Sequence, residues 1–381
     1  MQKILPFLLL IFLISCKEEN KSKPPNSASS PKGDTLQVEF AKGFSAVDYG
    51  THKILKVSNP FPESDKTYTY LLTRSGEKPP KDIDYDERVN IPIEKIVVTS
   101  TTHIPSLESL EVENTLVGFP DLDYISSPKT RQRIEEDKIA DLDQNENINL
   151  EVLLSLQPDA VIGFSMKENN KVYSNISNAG TPVIFNGDWN EENPMGKAEW
   201  IKFFGVMYDK EAEAEKHFET IKENYESAKA LISQEVEEKP TVLSGAMYQD
   251  VWYLPGGKSW MAQFIADAGG NYLYKNTDET GSLSLSFESV FDKARDAEIW
   301  IAPSGFTSFE QMKEDSKHYT EFEAFKNKQL YGYTATKGET GGVLYFELAP
   351  NRPDLVLKDL IKIFHPELLA DYENTFFKAL E

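Results

Sequence analysis

Residues 209–235 contain no glycine and no proline, are rich in Ala, Glu and Lys, and carry apolar side chains at helical intervals, at Ala212, Phe218, Ile221, Tyr225, Ala228 and Leu231. This pattern predicts one unbroken amphipathic helix. At ~1.5 Å per residue such a helix runs for about 40 Å, enough to back two lobes rather than one. The flanking sequence must therefore be arranged around a stiff strut. Upstream stand Ile96-Val97-Val98, Thr115-Leu116-Val117-Gly118-Phe119, Ala160-Val161-Ile162-Gly163-Phe164 and Pro182-Val183-Ile184-Phe185, short apolar runs separated by helical segments. Downstream, Thr241-Val242-Leu243-Ser244-Gly245 and Glu298-Ile299-Trp300-Ile301-Ala302 repeat the scheme, with helical stretches at 259–268 and 354–364. Apolar strands alternating with helices imply parallel sheets covered on both faces. The fold class expected is α/β, with two α/β lobes (91–208 and 237–381), each with a central, mostly parallel sheet, joined by one long α-helix (209–236). Ahead of them, residues 35–90 mix alternating runs such as Thr67-Tyr68-Thr69-Tyr70-Leu71-Leu72 with Pro and Gly. They read as an N-terminal β extension of a few antiparallel strands.

The first residues carry a targeting signal. Lys3 precedes an apolar run, 4–14, that is too short for the ~20 residues of a spanning helix and reads as a secretory signal peptide over 1–15. It ends in Leu13-Ile14-Ser15-Cys16, which resembles the lipobox of bacterial lipoproteins, where the cysteine becomes the lipid-bearing first residue. Cys16 is the single cysteine of the chain, so no disulfide framework is available. Residues 16–34 are polar and Pro- and Ser-containing, a tether that cannot bury enough surface to fold. Lys17-Glu18-Glu19 within it is similar to a surface-export signal of Bacteroidetes lipoproteins, and reads equally as solvated linker. A cell-envelope location follows as the expectation: lipid-anchored and facing the periplasm, or exposed at the surface, with membrane contact through the anchor only. The 62 acidic residues outnumber the 40 basic ones, and a net charge of -22 repels phosphate backbones, which argues against nucleic acid as a partner.

Three pieces of the first lobe are the most telling: Lys95-Ile96-Val97-Val98-Thr99-Ser100, the run from Asn149-Leu150-Glu151 to Pro158-Asp159-Ala160-Val161-Ile162, and Asn178-Ala179-Gly180-Thr181-Pro182-Val183. With Asn193-Pro194-Met195-Gly196-Lys197-Ala198-Glu199-Trp200 before the long helix and Val251-Trp252-Tyr253-Leu254-Pro255-Gly256-Gly257 after it, their order resembles that of the class III periplasmic binding proteins. These deliver siderophores, haem or cobalamin to ABC permeases. The resemblance implies a cleft between the lobes, a metal-chelate cargo (an iron-siderophore, haem or corrinoid) and an ABC permease as partner. One long helix resists hinge bending more than paired strands would, so little lobe motion is expected. Ligands of open α/β sheets sit beyond the carboxyl ends of the strands. The candidates in the first lobe are Thr101, Thr102, His103, Asp123, Tyr124, Ser165, Met166, Asp188 and Trp189. In the second they are Tyr248, Trp252, Tyr253, Trp260, Phe306, Tyr345 and Arg352. Aromatic rings would give flat contact to a chelate, and Arg352 paired donors to an anionic oxygen. The family also docks its permease through a carboxylate on each lobe, which implies Glu288 on the second lobe and one of Glu168, Glu192 and Glu199 on the first. A first-turn glutamate is also simply a favourable partner of a helix dipole.

Enzyme chemistry lacks its usual residues. The histidines His52, His103, His217, His318 and His365 lie far apart, with no His-Glu-x-x-His spacing. Neither Gly256-Gly257 nor Gly341-Gly342 belongs to a phosphate-cradling loop, and no Gly-x-Ser-x-Gly elbow occurs. No catalytic residue, cofactor or metal site is expected. Two other readings stand beside the carrier: a lipid-anchored envelope enzyme acting on glycans with paired carboxylates, and a receptor for bare zinc or manganese, though the chain has no His-rich loop.

Overall fold

The long helix spans Glu211–Glu235 without interruption in the computed structural model. Described are residues 33–381 except 63, 166–169 and 236–237, with side chains left out at 233–235. The signal peptide, Cys16 and nearly all of the tether lie outside the described residues, as do Met166 and Glu168. The helix buries Ala214, Phe218, Ile221, Tyr225, Ala228 and Ile232, a stripe that advances by four and three residues in alternation and so stays on one face. Ala212 is exposed and Leu231 only half-buried, because the stripe through Phe218 and Ala228 continues at the fourth residue on each side.

The N-terminal extension forms a five-stranded sheet, β1 (Asp34–Thr35), β2 (Phe44–Asp48), β3 (His52–Ser58), β4 (Thr67–Arg74) and β5 (Glu87–Ile91), paired in chain order. β1 to β4 are antiparallel, but β5 pairs parallel to β4, so the expectation of antiparallel strands fails at the last one. A loop through 75–86 returns the chain to the start of β4 before β5 begins. The sheet is fastened to the first lobe by buried charge. The fully buried Glu199 carboxylate accepts the backbone N–H groups of Glu39, Phe40 and Ala41 at 2.6–2.8 Å and the Lys202 ammonium at 2.9 Å. Lys53, 1% exposed on its side chain, reaches Asp209, Glu211 and the Val206 carbonyl where the long helix starts.

In the first lobe, β6 (Ile96–Val98), β7 (Leu116–Phe119), β8 (Ala140–Asp141), β9 (Ala160–Gly163) and β10 (Val183–Phe185) form a parallel sheet in the order β10-β9-β6-β7-β8. Every residue of β6 and β9 is buried, as central strands covered on both faces require. The second lobe contains β11 (Thr241–Ser244), β12 (Ala246–Tyr248), β13 (Val251–Pro255), β14 (Asn271–Tyr272), β15 (Ser282–Ser286), β16 (Ile299–Ile301), β17 (Leu330–Gly332) and β18 (Lys378–Ala379). Its main sheet runs β14-β11-β16-β17-β18, parallel except for the edge strand β18, and β12-β13-β15 make a small antiparallel sheet beside it. Two α/β lobes with mostly parallel sheets on one helical strut is the architecture, with the extension as a third, smaller layer.

Candidate functional site

The parallel strands β11, β16 and β17 end on the same side of the second lobe, and their carboxyl ends open into a cavity of about 570 Å³ lined by Ser244, Met247, Tyr248, Tyr253, Trp260 and Tyr333 among others. Strand alternation decides which rings face it. In β13 the side chains alternate out and in, so Tyr253 is exposed while Trp252 turns to the core, stacked on Trp300 at 5.3 Å. Trp260 opens the helix Trp260–Asp267, held there by Ser259, whose hydroxyl accepts the Ala262 N–H at 3.2 Å. Ser244 is 1% exposed, lines this cavity, and its hydroxyl has no hydrogen-bond partner among the described residues.

The first lobe contributes a matching cavity of about 340 Å³ beyond β6, β7 and β9, lined by Ser100, Thr101, Phe119, Asp121, Tyr124, Glu146 and Phe164, with Val343 and Phe346 reaching in from the second lobe. The Ser100 hydroxyl accepts the Thr102 N–H and fixes the 3-10 turn Thr101–His103. Tyr333 of the one cavity and Phe346 of the other pack edge to face at 5.6 Å, so the two cavities lie side by side in the interlobe cleft. Four of the five exposed large hydrophobic side chains among the described residues belong to it: Tyr124, Tyr248, Tyr253 and Phe346. Aromatic surface left in water around a concavity marks a binding site rather than a folding accident.

Residues 336–352 cross from the second lobe and lock onto the first. Gly338 and Gly342 lie so close to Ser126 and Tyr124 that an added Cβ would sit 2.6 Å and 2.3 Å from backbone atoms. The Thr340 hydroxyl donates to the Asp123 carbonyl at 2.8 Å, and Asn351 donates to the Thr102 carbonyl at 2.8 Å while accepting from Ser106. Glu347, 2% exposed, accepts the Ser126 N–H at 2.6 Å. Burial raises its carboxyl to about 7, opposed by the backbone N–H groups of Ser126 and Ser127 and reinforced by the nearby Glu108. Under the cleft floor the Lys197 ammonium donates to the carbonyls of Asp188 and Trp189 at 3.2 and 2.9 Å and lies 5.6 Å from the Trp260 ring centroid. Burial lowers its pKa, while Asp188 and Glu191 work the other way.

Of the residues singled out from sequence, Thr101, Tyr124, Tyr248, Tyr253 and Trp260 line the cleft. Others lie behind it. The Thr102 hydroxyl donates to Asp188 at 3.0 Å, and Asp188 is buried. His103 is fully buried against Phe204, and burial pushes its imidazole down to about 4, so it is neutral at ordinary pH. Ser165 is buried, and Trp189 packs edge-on to Phe164 at 6.1 Å. Trp252 belongs to the core, Phe306 packs on Tyr319, and Tyr345 is 3% exposed beneath Trp260 and Tyr333. Arg352 makes a two-pronged bond to Asp354, at 2.8 and 2.7 Å, at the start of the helix Pro353–Phe364, away from both cavity linings. Asp123 lines a separate acidic cavity of about 750 Å³ that shares Asp121 and Tyr124 with the cleft. Sequence reasoning missed Ser244, Phe164, Tyr333 and Phe346. Phe164 ends its apolar run and Ser244 ends β11, each just short of the loop that follows, whereas Tyr333 and Phe346 carry no local signal.

Among the docking carboxylates, Glu288 is exposed at the first turn of the helix Phe287–Ala294, where its own backbone N–H and the Ser286 hydroxyl hold it below the usual range. Glu192 is exposed and lies 3.7 Å from Lys42. Glu199 is consumed beneath the extension and presents no carboxylate to a partner. Among the described residues no three His, Cys, Asp or Glu side chains converge as metal ligands, and no helix is long and apolar enough to cross a membrane.

The chain is 25% identical over 375 residues to an uncharacterized lipoprotein of Methanocaldococcus jannaschii, a match covering 92% of this chain and 87% of the relative. Coverage of that extent takes in most of the N-terminal extension. Among solved structures, a periplasmic heme binding protein of Pseudomonas aeruginosa superposes with a TM-score of 0.56 at 17% identity, covering 76% of this chain and 98% of its own. A periplasmic vitamin B12 binding protein of Vibrio cholerae gives 0.51 at 13% identity, with coverages of 71% and 96%. Residues 96–336 match the model of the periplasmic binding protein family. The match begins at β6 and excludes the extension. With this match across both lobes and the long helix, the chain belongs to the periplasmic binding protein family, a family of binding proteins rather than enzymes.

Proposed function

We propose that this protein captures a metal chelate, an iron-siderophore, haem or corrinoid, in the interlobe cleft and presents it to an ABC permease, while a lipid on Cys16 holds it at the cell envelope. The observation that carries the reading is the aromatic cleft itself, assembled from the strand ends of both lobes around Tyr124, Tyr253, Trp260, Tyr333 and Phe346. Flat rings on opposing walls suit a broad, rigid ligand, because they offer area at little conformational cost. The heme and vitamin B12 binding proteins of like fold support the choice of cargo. The lipoprotein relative supports an envelope location. Among the described candidates Glu288 and Glu192 expose their carboxylates to a permease, with Glu168 a further candidate outside the described residues, and charge pairs of this kind set orientation and encounter rate more than affinity.

Intrinsic fluorescence tests the reading. Titration with haem, corrinoids and ferric siderophores should give saturable tryptophan quenching by one class with the chelate recovered unchanged. Trp260→Phe should remove most of that quench, since Trp252 is buried in the core and Trp260 lines the cavity. Quenching that persists undiminished in W260F, or chemical conversion of the ligand, would reject it.

A further inference from the structure

Among the described residues, the lining of the cleft carries no cation. None of the residues lining its second-lobe cavity is charged, and the first-lobe cavity holds two charged side chains, Asp121 and Glu146, both acidic. The adjoining cavity at its mouth adds Asp123, Asp141 and Asp143 against a single Arg131, whose guanidinium donates to the Leu122 carbonyl at 2.8 Å. Lys197 is absent from both linings: its ammonium gives two of its three N–H groups to backbone carbonyls below the floor and lies 5.6 Å from the Trp260 ring centroid. Arg352 is committed to Asp354. Residues 166–169, among them Lys167 and Glu168, lie outside the described residues. What the cleft offers instead is neutral: aromatic faces, the hydroxyls of Ser100 and Thr101, and the buried, unpartnered Ser244 hydroxyl.

A ligand carboxylate drawn into such a cleft loses its water and finds no cation among the described lining residues in exchange, whereas a neutral amide or hydroxamate oxygen finds hydroxyl donors. A cationic ligand gains further from the carboxylates at the mouth, which also draw it in over long range. Taking the chelate-capture reading above as given, we infer that the cargo is an uncharged or cationic chelate and that the cleft rejects chelates bearing ionised acids. Asp121 and Glu146 are the residues that set this selectivity.

The experiment compares probes of different charge on the full chain in detergent, by tryptophan quenching at fixed ionic strength. Ferrioxamine B supplies a cationic ferric hydroxamate, ferrichrome a neutral one, cyanocobalamin a neutral corrinoid, and hemin and a ferric tris-catecholate the anionic class. Binding by a cationic or neutral probe at least ~100-fold tighter than by either anionic probe is expected. In the double variant Asp121→Asn with Glu146→Gln, affinity for the cationic probe should fall by about 3- to 10-fold while that for the neutral hydroxamate holds, so that a general loss of structure is separated from a loss of charge. An anionic probe that binds tightest overturns the inference and leaves chelate capture standing. If no probe saturates the quench, chelate capture itself falls, and the charge selectivity with it.

Discussion

Tyr345 shapes the cleft without lining it. Its ring is stacked on Tyr333 at 4.1 Å and faces Trp260 at 6.2 Å, so two cavity-lining rings rest on one buried neighbour. Its hydroxyl has no hydrogen-bond partner among the described residues, and an unpaired buried hydroxyl is a cost rather than a support. Tyr345→Phe should therefore leave stability unchanged or raise it by up to about 1 kcal/mol. Tyr345→Ala should remove about 3–5 kcal/mol and weaken ligand binding by releasing Trp260. Urea unfolding with a parallel fluorescence titration reads both, and equal destabilisation by the two variants would show that the hydroxyl, not the ring, matters. The same neighbourhood marks what the sequence reveals at this scale. That an aromatic would stand at 345 or 346 is legible, but which one faces ligand depends on how the short helix Leu344–Leu348 is rotated by its packing on the first lobe. Within β13 the period of two separates the outward Tyr253 from the inward Trp252.

That short helix and the loop before it also make the lobe junction sensitive to pH. Glu347 is folded into a site where burial and Glu108 raise its carboxyl from the ordinary 4.5 to about 7. A group whose folded pKa is raised takes up a proton on folding, so its site is most favourable below about pH 4.5, loses stability as pH climbs, and levels off above about 7. At roughly 1.4 kcal/mol for each tenfold change in proton affinity, the loss is on the order of 3 kcal/mol. Glu347→Gln keeps an oxygen for the Ser126 N–H and removes the ionisation, so it should be about 2–3 kcal/mol more stable than the parent at pH 8 and nearly equal at pH 5. Unfolding midpoints across that range check the sign, and a parent protein that gains stability from pH 5 to 7 relative to the variant contradicts it. Elements as a class were legible where periodicity was strong: the long helix, and the buried strands β6, β9 and β16, follow from apolar runs and their caps. The partners of the extension were not, because β5 joins its sheet in parallel after a loop, and no local pattern encodes the direction from which a strand arrives.

At the scale of the whole unit from Gly33 to Glu381, the lobes are joined at several separate places. The long helix backs them both, with Phe218 and Ile221 in the same core as Phe264 and Leu360, and the extension grips its first turn through Lys53. On the cleft side the crossing segment 336–352 is pinned by Thr340, Glu347 and Asn351, with two glycines whose replacement by any side chain would collide with the opposite lobe. Closing the cleft by rigid rotation would have to break these bonds or bend the strut. Cargo must then be accommodated by loops and exposed rings such as Tyr124, Tyr248 and Phe346, which can turn without moving a lobe. Small-angle scattering of this unit, expected to show a radius of gyration of about 20 Å, should change by less than about 1 Å on saturation with ligand. Gly342→Ala, by contrast, should expand the free protein and weaken binding, because the new methyl meets the Tyr124 carbonyl and pries the junction apart. A compaction of several ångströms on loading would mean that the two halves swing as separate bodies, and that the contacts along 336–352 form with the cargo rather than before it.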